Sequence, residues 1–152
     1  MSPEGQILIG REALAALRGS GWTVNSVGGL TLGADPISYA IAHASALEAE
    51  AGTGEMVRSF TVRKEAKQHG TGKLIEGPFQ AGDKVVVVED VITTGGSALK
   101  AVEAIRAAGG DIVGVLALVD REEGGREALE AAGLKVISLV TATDLLPLIP
   151  SA

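Results

Sequence analysis

Four consecutive valines, at positions 85 to 88, are the feature that most constrains how this chain can fold. A continuous β-branched run is typical of a strand that is buried on both faces. Such strands occur in parallel sheets, because the crossover connections between parallel strands place helices over both faces. The run therefore predicts an α/β protein with a mostly parallel central sheet flanked by helices.

The rest of the chain supplies the alternating elements that this architecture needs. Helical spacing of apolar residues predicts helices over residues 3–19, 36–52, 97–108 and 126–132. Short apolar runs predict strands over residues 23–27, 57–62, 85–88, 112–119 and 135–140, the first closed by Gly28 and Gly29. Residues 63–82 are polar, rich in glycine and without a period, which predicts a long loop, and such loops are usually functional or disordered. No repeat or linker interrupts the sequence, so we expect a single domain, 1–152.

Composition excludes several classes of protein. The chain contains no cysteine, so it has neither disulfides nor thiolate metal ligands, which is compatible with a reducing cytosol. The net charge of -6 argues against nucleic-acid binding, which needs a basic surface. No apolar run approaches the ~20 residues of a membrane span. We therefore expect a cytoplasmic protein without nucleic-acid or membrane partners.

Two adjacent acids, Glu89 and Asp90, end the valine strand and precede a loop suited to an anion. The loop residues are Val91, Ile92, Thr93, Thr94, Gly95, Gly96 and Ser97. Glycines let backbone N–H groups converge, and the following helix adds its positive end, so the loop fits a phosphate. The carboxylates would repel a phosphate unless they face hydroxyl groups or Mg²⁺. A sugar phosphate with free hydroxyls satisfies both halves of the stretch.

Ligands of open α/β sheets bind beyond the carboxyl ends of the strands. This rule predicts that four segments lie close together: Gly28-Gly29, the loop from residue 63, the acid pair, and Asp120-Arg121. Within the last segment, Asp120 is expected either to orient Arg121 or simply to end a strand, and the first is favoured.

A basic cluster lies in the long loop of this otherwise acidic chain. Its members are Arg63, Lys64, Lys67, His69 and Lys73. A solvated charged loop is the plainer interpretation, but it does not account for a histidine among four cations between glycines. Positive groups on a mobile loop can close over a pyrophosphate and stabilise its developing charge.

The strand, acid pair, T-T-G-G-S and helix together resemble the signature by which type I phosphoribosyltransferases bind phosphoribosyl pyrophosphate (PRPP). The R-K-E-x-K-x-H-G stretch over residues 63–70 resembles the catalytic loop of orotate phosphoribosyltransferases. The G-G-L-T-L-G-A-D-P stretch over residues 28–36 is similar to a shorter bacterial branch of that family. In V-D-R, Arg121 stands where family members place an arginine against the orotate carboxylate.

The resemblance implies the type I phosphoribosyltransferase fold. The family's N-terminal hood segment, which contacts the base and covers the site, is expected to be reduced or absent. It implies transfer of phosphoribosyl from PRPP to orotate, giving orotidine monophosphate and pyrophosphate in UMP synthesis. Mg²⁺ is implied as a cofactor that is held through the substrate rather than directly by the protein, with Glu89 and Asp90 nearby. A homodimer is also implied, with loop residues 63–73 shared across subunits.

Residue roles carry over from the same resemblance. Glu89 and Asp90 are expected to hold the ribose hydroxyls, and residues 91–97 the phosphate side of PRPP. The loop residues Arg63, Lys64, Lys67 and His69 are expected to contact pyrophosphate, and Thr93 and Arg121 to contact orotate. Lys67, His69 and Asp90 are the expected catalytic residues.

Two departures from the family pattern leave alternatives open. An upstream S-G-x-x-S-x-Y-like motif that contacts the base does not occur in the sequence, and Leu32-Gly33 replaces a common tyrosine-lysine pair. We therefore expect PRPP to bind and orotate to bind poorly unless the hood segment is supplied. A salvage enzyme for another base and a nucleotide-sensing regulatory domain are the alternatives. Turnover with orotate and PRPP separates all three.

Overall fold

The computed structural model of the protein describes residues 1–69 and 72–151. Within these residues the chain forms a six-stranded sheet in the order β3-β2-β1-β4-β5-β6. The strands are β1 (Ser26–Leu30), β2 (Arg58–Val62), β3 (Ile75–Glu76), β4 (Lys84–Ile92), β5 (Asp111–Asp120) and β6 (Val136–Thr141). Every pairing is parallel except that of β2 with β3. The predicted α/β architecture with a mostly parallel sheet is confirmed.

Helices cover both faces of this sheet. They are α1 (Pro3–Gly19), α2 (Asp35–Glu50), α3 (Gly96–Ala107), α4 (Gly125–Ala131) and α5 (Ala142–Leu145), followed by a 3-10 turn over Leu146–Leu148. Helix α1 begins where the sequence favours it, because the Ser2 hydroxyl accepts from the Gly5 amide at 3.0 Å and proline occupies the first turn. No helix in the described residues is long and apolar enough to cross a membrane.

The valine run forms the centre of two hydrophobic cores. Val85 and Val87 pack with residues of α3 and α4, whereas Val86 and Val88 pack with residues of α1 and α2. All four are 0% exposed. Successive side chains of a strand point to opposite faces, so a run without polar residues is what a strand covered on both sides requires.

Strands β1 and β4 both extend further toward their carboxyl ends than the sequence predicts. Strand β1 begins at Ser26 and runs through Gly28 and Gly29, which were expected to close it. Both glycines are required by close packing: a Cβ on Gly28 would lie 2.5 Å from the Phe60 carbonyl oxygen, and one on Gly29 would clash with the Val88 carbonyl. Strand β4 likewise continues through the two acids to Ile92. The acids are therefore part of the strand rather than its end.

A short strand also interrupts the predicted loop. Strand β3 pairs with β2 in antiparallel fashion, with Ile75 opposite Val62 and Glu76 opposite Thr61. A two-residue strand is too short to show an alternating pattern, so sequence periodicity could not reveal it. The pairing folds the second half of the loop back along β2.

Candidate active site

A cleft opens at the carboxyl end of β4, where the strand passes through a tight turn into α3. It is lined by Glu89, Val91, Ile92, Thr93, Thr94, Gly95, Gly96, Ser97 and Ala98. Gly95 adopts φ 88°, a left-handed conformation that glycine reaches without strain. Because Gly95 has no side chain, no side-chain cap occupies the first amides of α3. These amides, with the helix dipole and nearby hydroxyls, form a site suited to a phosphate.

Glu89 is buried in this cleft without a partner for one of its oxygens. The residue is 6% exposed, and Oε1 makes no hydrogen bond to any described residue. Burial disfavours the charged carboxylate, and the neighbouring charge of Asp90 adds to the effect, so that the pKa of Glu89 is raised to about 7. An unpaired, buried acceptor is costly for the fold and suits a ligand that brings a donor or a cation.

Asp90 lies on the other face of β4. Its carboxylate accepts from the Val91 amide at 2.8 Å and faces the turn after β1. A Cβ on Gly33 would lie 2.8 Å from Asp90 Oδ2, so a larger residue at position 33 would require the Asp90 carboxylate to move. The two acids are therefore separated by the alternation of the strand, and one ligand can reach both only by lying across the end of β4.

The turn after β1 is held in place by a buried carboxylate. Asp35, at the start of α2, accepts from the hydroxyl of Thr31 at 2.6 Å and from that of Thr61 at 2.9 Å. The Thr31–Leu32 peptide in this turn is cis. These contacts join the carboxyl ends of β1 and β2 next to Asp90. The segment at the sheet edge is thus residues 31–34, and not Gly28-Gly29 as predicted.

The other predicted segments do meet at this edge. Strand β2 ends at Val62 opposite Leu30 of β1, so Arg63 follows directly at the edge. Ile92 of β4 lies opposite Asp120 of β5, and the Arg121 amide donates to the Ile92 carbonyl at 3.0 Å. The carboxyl-end rule therefore located three of the four segments correctly.

The favoured partnership between Asp120 and Arg121 is wrong, whereas the alternative that Asp120 ends a strand agrees with β5, which ends at that residue. Asp120 accepts from Arg126 Nε at 3.1 Å and from the Glu122 amide at 2.9 Å, and it is 4% exposed. Arg121 instead points outward and pairs with Glu123 at 2.8 Å. The reason is that α4 returns Arg126 to the buried end of β5, whereas the residue after a strand end faces solvent. Arg121 remains available to an anionic ligand that displaces Glu123.

The basic loop residues are placed near β3. Arg63 Nε and Lys67 Nζ both donate to Glu76 Oε1, at 3.0 Å and 3.1 Å. Lys64, His69 and Lys73 are exposed. Gly70, the last residue of the predicted catalytic-loop motif, lies outside the described residues. Glu76 of β3 thus holds Arg63 and Lys67 together just after the end of β2.

Sequence reasoning missed residues whose importance depends on packing. Gly125 permits a close approach of α4 to the backbone of Thr93, and Gly33 lies directly against the Asp90 carboxylate. The Gly124-Gly125 pair before a helical pattern was a usable signal for Gly125, because adjacent glycines often mark close backbone contacts. Glu76 gave no local signal, since it is one of two acids in a polar loop.

Comparisons with known proteins define the class first. Residues 30–142 match the family described as phosphoribosyl transferase domain. This class agrees with the fold and with a turn beside two acids that is suited to a phosphate. The orotate phosphoribosyltransferase of Aquifex aeolicus is 47% identical over 144 residues, covering 95% of this chain and 75% of the relative.

Solved structures agree with this assignment. A crystal structure of Mycobacterium tuberculosis orotate phosphoribosyltransferase with inorganic phosphate superposes with a TM-score of 0.80 at 43% identity, covering 95% of this chain and 75% of that one. The same enzyme in complex with PRPP gives a TM-score of 0.77 at 45% identity, covering 92% and 75%. The chain belongs to the orotate phosphoribosyltransferase family.

Proposed function

We propose that this protein transfers the phosphoribosyl group of PRPP to orotate, giving orotidine monophosphate and pyrophosphate for UMP synthesis. The observation that carries the proposal is the cleft itself. It combines a buried, unpaired carboxyl oxygen of Glu89 with the uncapped amino end of α3. A sugar phosphate supplies the hydroxyl donor that the first needs and the anion that the second favours.

Binding of PRPP is shared between the two ends of the turn. The amides at the start of α3, with the hydroxyls of Thr93, Thr94 and Ser97, hold the 5′-phosphate. Glu89 and Asp90 accept from the ribose hydroxyls, each from its own face of the strand. Residues 91–97 thereby fix the ribose at the carboxyl edge of the sheet, where the carbon that reacts faces the remaining segments.

The reaction breaks the bond between ribose C1 and the pyrophosphate oxygen and forms a bond from C1 to a ring nitrogen of orotate, which loses its proton. Pyrophosphate leaves with the electron pair, so negative charge grows on its oxygens while positive charge grows at C1. Arg63, Lys64, Lys67 and His69 stabilise the leaving group, and the Asp90 carboxylate lies on the side of the ribose. Positioning and charge stabilisation supply most of the catalysis.

Orotate is an anion and needs a cation at the opposite side of the cleft. The side chain of Arg121 is 55% exposed, and its backbone amide donates to the Ile92 carbonyl of β4. The orotate carboxylate takes the place of Glu123 on this guanidinium, and Thr93 contacts the base from the turn. A neutral base has no carboxylate that could replace Glu123 on Arg121, which favours orotate over the bases of salvage enzymes.

Mg²⁺ is part of the proposal as a cofactor carried by the substrate. Among the described residues, no group of three or more acids and histidines is arranged to hold a metal ion. The unpaired oxygen of Glu89 and the carboxylate of Asp90 accept from the ribose hydroxyls in this proposal, so they lie near the ion without binding it directly. Held by the substrate's own oxygens, Mg²⁺ would neutralise charge on the pyrophosphate.

The assembly and the setting belong to the same proposal. We infer a cytoplasmic homodimer of single-domain chains, in which residues 63–73 of one subunit serve the site of the other. The support is the family to which the chain belongs and the position of Arg63 and Lys67 at the outer rim of the sheet edge.

Steady-state turnover with PRPP, Mg²⁺ and orotate tests the proposal. We expect orotidine monophosphate to form with a high KM for orotate, in line with the weak orotate binding expected from the sequence. Uracil, adenine and hypoxanthine should give no product above background. Turnover with another base and not with orotate would identify a salvage enzyme. Binding of PRPP without turnover of any base would support the regulatory alternative instead.

A further inference from the structure

Glu76 occupies a position on β3 from which one carboxylate oxygen reaches two cations. Its Oε1 accepts from Arg63 Nε at 3.0 Å and from Lys67 Nζ at 3.1 Å. The backbone holds this arrangement, because Glu76 lies opposite Thr61 and the Arg63 amide donates to the Leu74 carbonyl at 2.7 Å. The backbone therefore places this oxygen within reach of both Arg63 and Lys67, two of the residues proposed to contact pyrophosphate.

The chemistry of this oxygen is that of a phosphate oxygen. The hydrogen bond and charge of Lys67, with a smaller contribution from Arg63, hold the pKa of Glu76 below its usual value. Glu76 is thus an anion at neutral pH, bound by the same donors that a pyrophosphate oxygen would use. The side chain is 41% exposed, and exposed ion pairs are weak enough for a multiply charged ligand to replace.

We propose that Glu76 is a positioning residue of the pyrophosphate site, which gathers Arg63 and Lys67 in the ligand-free protein and is displaced from both by pyrophosphate. The inference rests on the proposed function. A second pair follows the same pattern independently, since Arg121, the proposed orotate contact, is held by Glu123 at 2.8 Å. Acids of the chain itself stand in for both anionic groups of the substrates.

Displacement of Glu76 by pyrophosphate predicts the direction in which the pyrophosphate affinity changes when the Glu76 charge is removed. While Glu76 is charged, pyrophosphate must compete with it for two donors and then lies near a free carboxylate. Glu76→Gln removes the competitor and the repulsion but keeps the shape of the side chain. Calorimetry with inorganic pyrophosphate and Mg²⁺ should show binding about threefold to tenfold tighter than in the unaltered protein at low salt, with the gain shrinking as salt is added.

Glu103→Gln is the matched control. Glu103 lines the same surface hollow as Arg63 and Lys64 but forms no ion pair within residues 1–69 or 72–151. The Glu103→Gln variant loses the same charge as Glu76→Gln but frees no cation from an ion pair. Its pyrophosphate affinity should therefore stay within about twofold of the unaltered protein. Carboxyl ¹³C titration of the unaltered protein gives a test without any variant: saturating pyrophosphate should move the Glu76 pKa back up toward its ordinary value.

Equal or weaker pyrophosphate binding by Glu76→Gln would overturn the role of Glu76, as would a Glu76 pKa that pyrophosphate does not raise. Turnover of orotate by the unaltered protein is measured separately, so either result leaves the proposed function standing. Absence of both turnover and pyrophosphate binding in the unaltered protein would remove the proposed function and the role of Glu76 together.

Discussion

Gly125 packs against the Thr93 carbonyl so closely that a Cβ at Gly125 would clash with that oxygen. The same Cβ would clash with the Ile92 side chain, and a Cβ on Gly95 would lie 3.1 Å from the Gly125 carbonyl. The start of α4 therefore packs directly against the turn over residues 93–96 (the phosphate turn). A change at the start of α4 should therefore alter phosphate binding at this turn.

Gly125→Ala is expected to push α4 away from the phosphate turn. Overpacking of this kind costs about 1–3 kcal/mol of unfolding free energy, and the displaced turn should bind inorganic phosphate more weakly. Urea denaturation and phosphate titration measure the two effects. Gly19→Ala, where a Cβ meets nothing within 4 Å, is the control and should be neutral or slightly stabilising. Normal stability and normal phosphate affinity in Gly125→Ala would show that α4 does not support the turn.

Glu89 should make the protein less stable as the pH rises. Its folded-state pKa of about 7 exceeds the ordinary 4.5, so the folded protein holds the proton more tightly than the unfolded chain. The stabilisation from that proton is complete below pH 4.5 and is lost as the pH rises through 7. The shift corresponds to about 3 kcal/mol, at about 1.4 kcal/mol for each pKa unit.

Glu89→Gln isolates this contribution. The variant cannot ionise at this position, so its stability relative to the unaltered protein should rise by up to about 3 kcal/mol between pH 5 and pH 8. Urea denaturation at both pH values measures the difference. A stability difference that is identical at the two pH values would mean that Glu89 titrates as an ordinary surface carboxyl.

Asp90→Asn should weaken ligand binding without weakening the fold. The amide keeps the shape but loses a charged acceptor, which costs about 1.5–3 kcal/mol, or about 10-fold to 150-fold in PRPP affinity. Calorimetry with PRPP and Mg²⁺, together with the Tm, is the measurement. Asp111→Asn removes an equal charge at the opposite end of the sheet and should bind PRPP normally. Unfolding of Asp90→Asn with normal binding by the folded fraction would assign Asp90 a structural role.

Sharing of the loop between subunits can be tested by mixing inactive variants. Lys67→Ala and Asp90→Ala chains should each be inactive alone. If the loop acts on the partner's site, each hybrid dimer contains one site with both groups intact, and mixing should restore part of the activity. Native mass spectrometry confirms that hybrids form. Hybrids that form but stay inactive would place the loop in its own subunit's site.

Local patterns determined much of this protein. The valine run required a strand covered on both faces, and T-T-G-G-S before a helical repeat required a turn with free amides at a helix start. These features depend on residues within a few positions of one another, because strand burial and helix capping are short-range properties. The rule for carboxyl ends then located Arg63, Asp90 and Arg121 at one edge without knowledge of any side-chain contact.

Only the tertiary structure decided which side chains are partners. Asp120 pairs with Arg126 rather than Arg121, and Glu76 reaches back to Arg63. Gly28 and Gly29 lie inside a strand because backbone atoms of neighbouring strands leave no room for a Cβ. Such outcomes depend on register, on the return path of a helix and on distances between segments far apart in the chain. No local pattern encodes them, since the same residues in another register would face different neighbours.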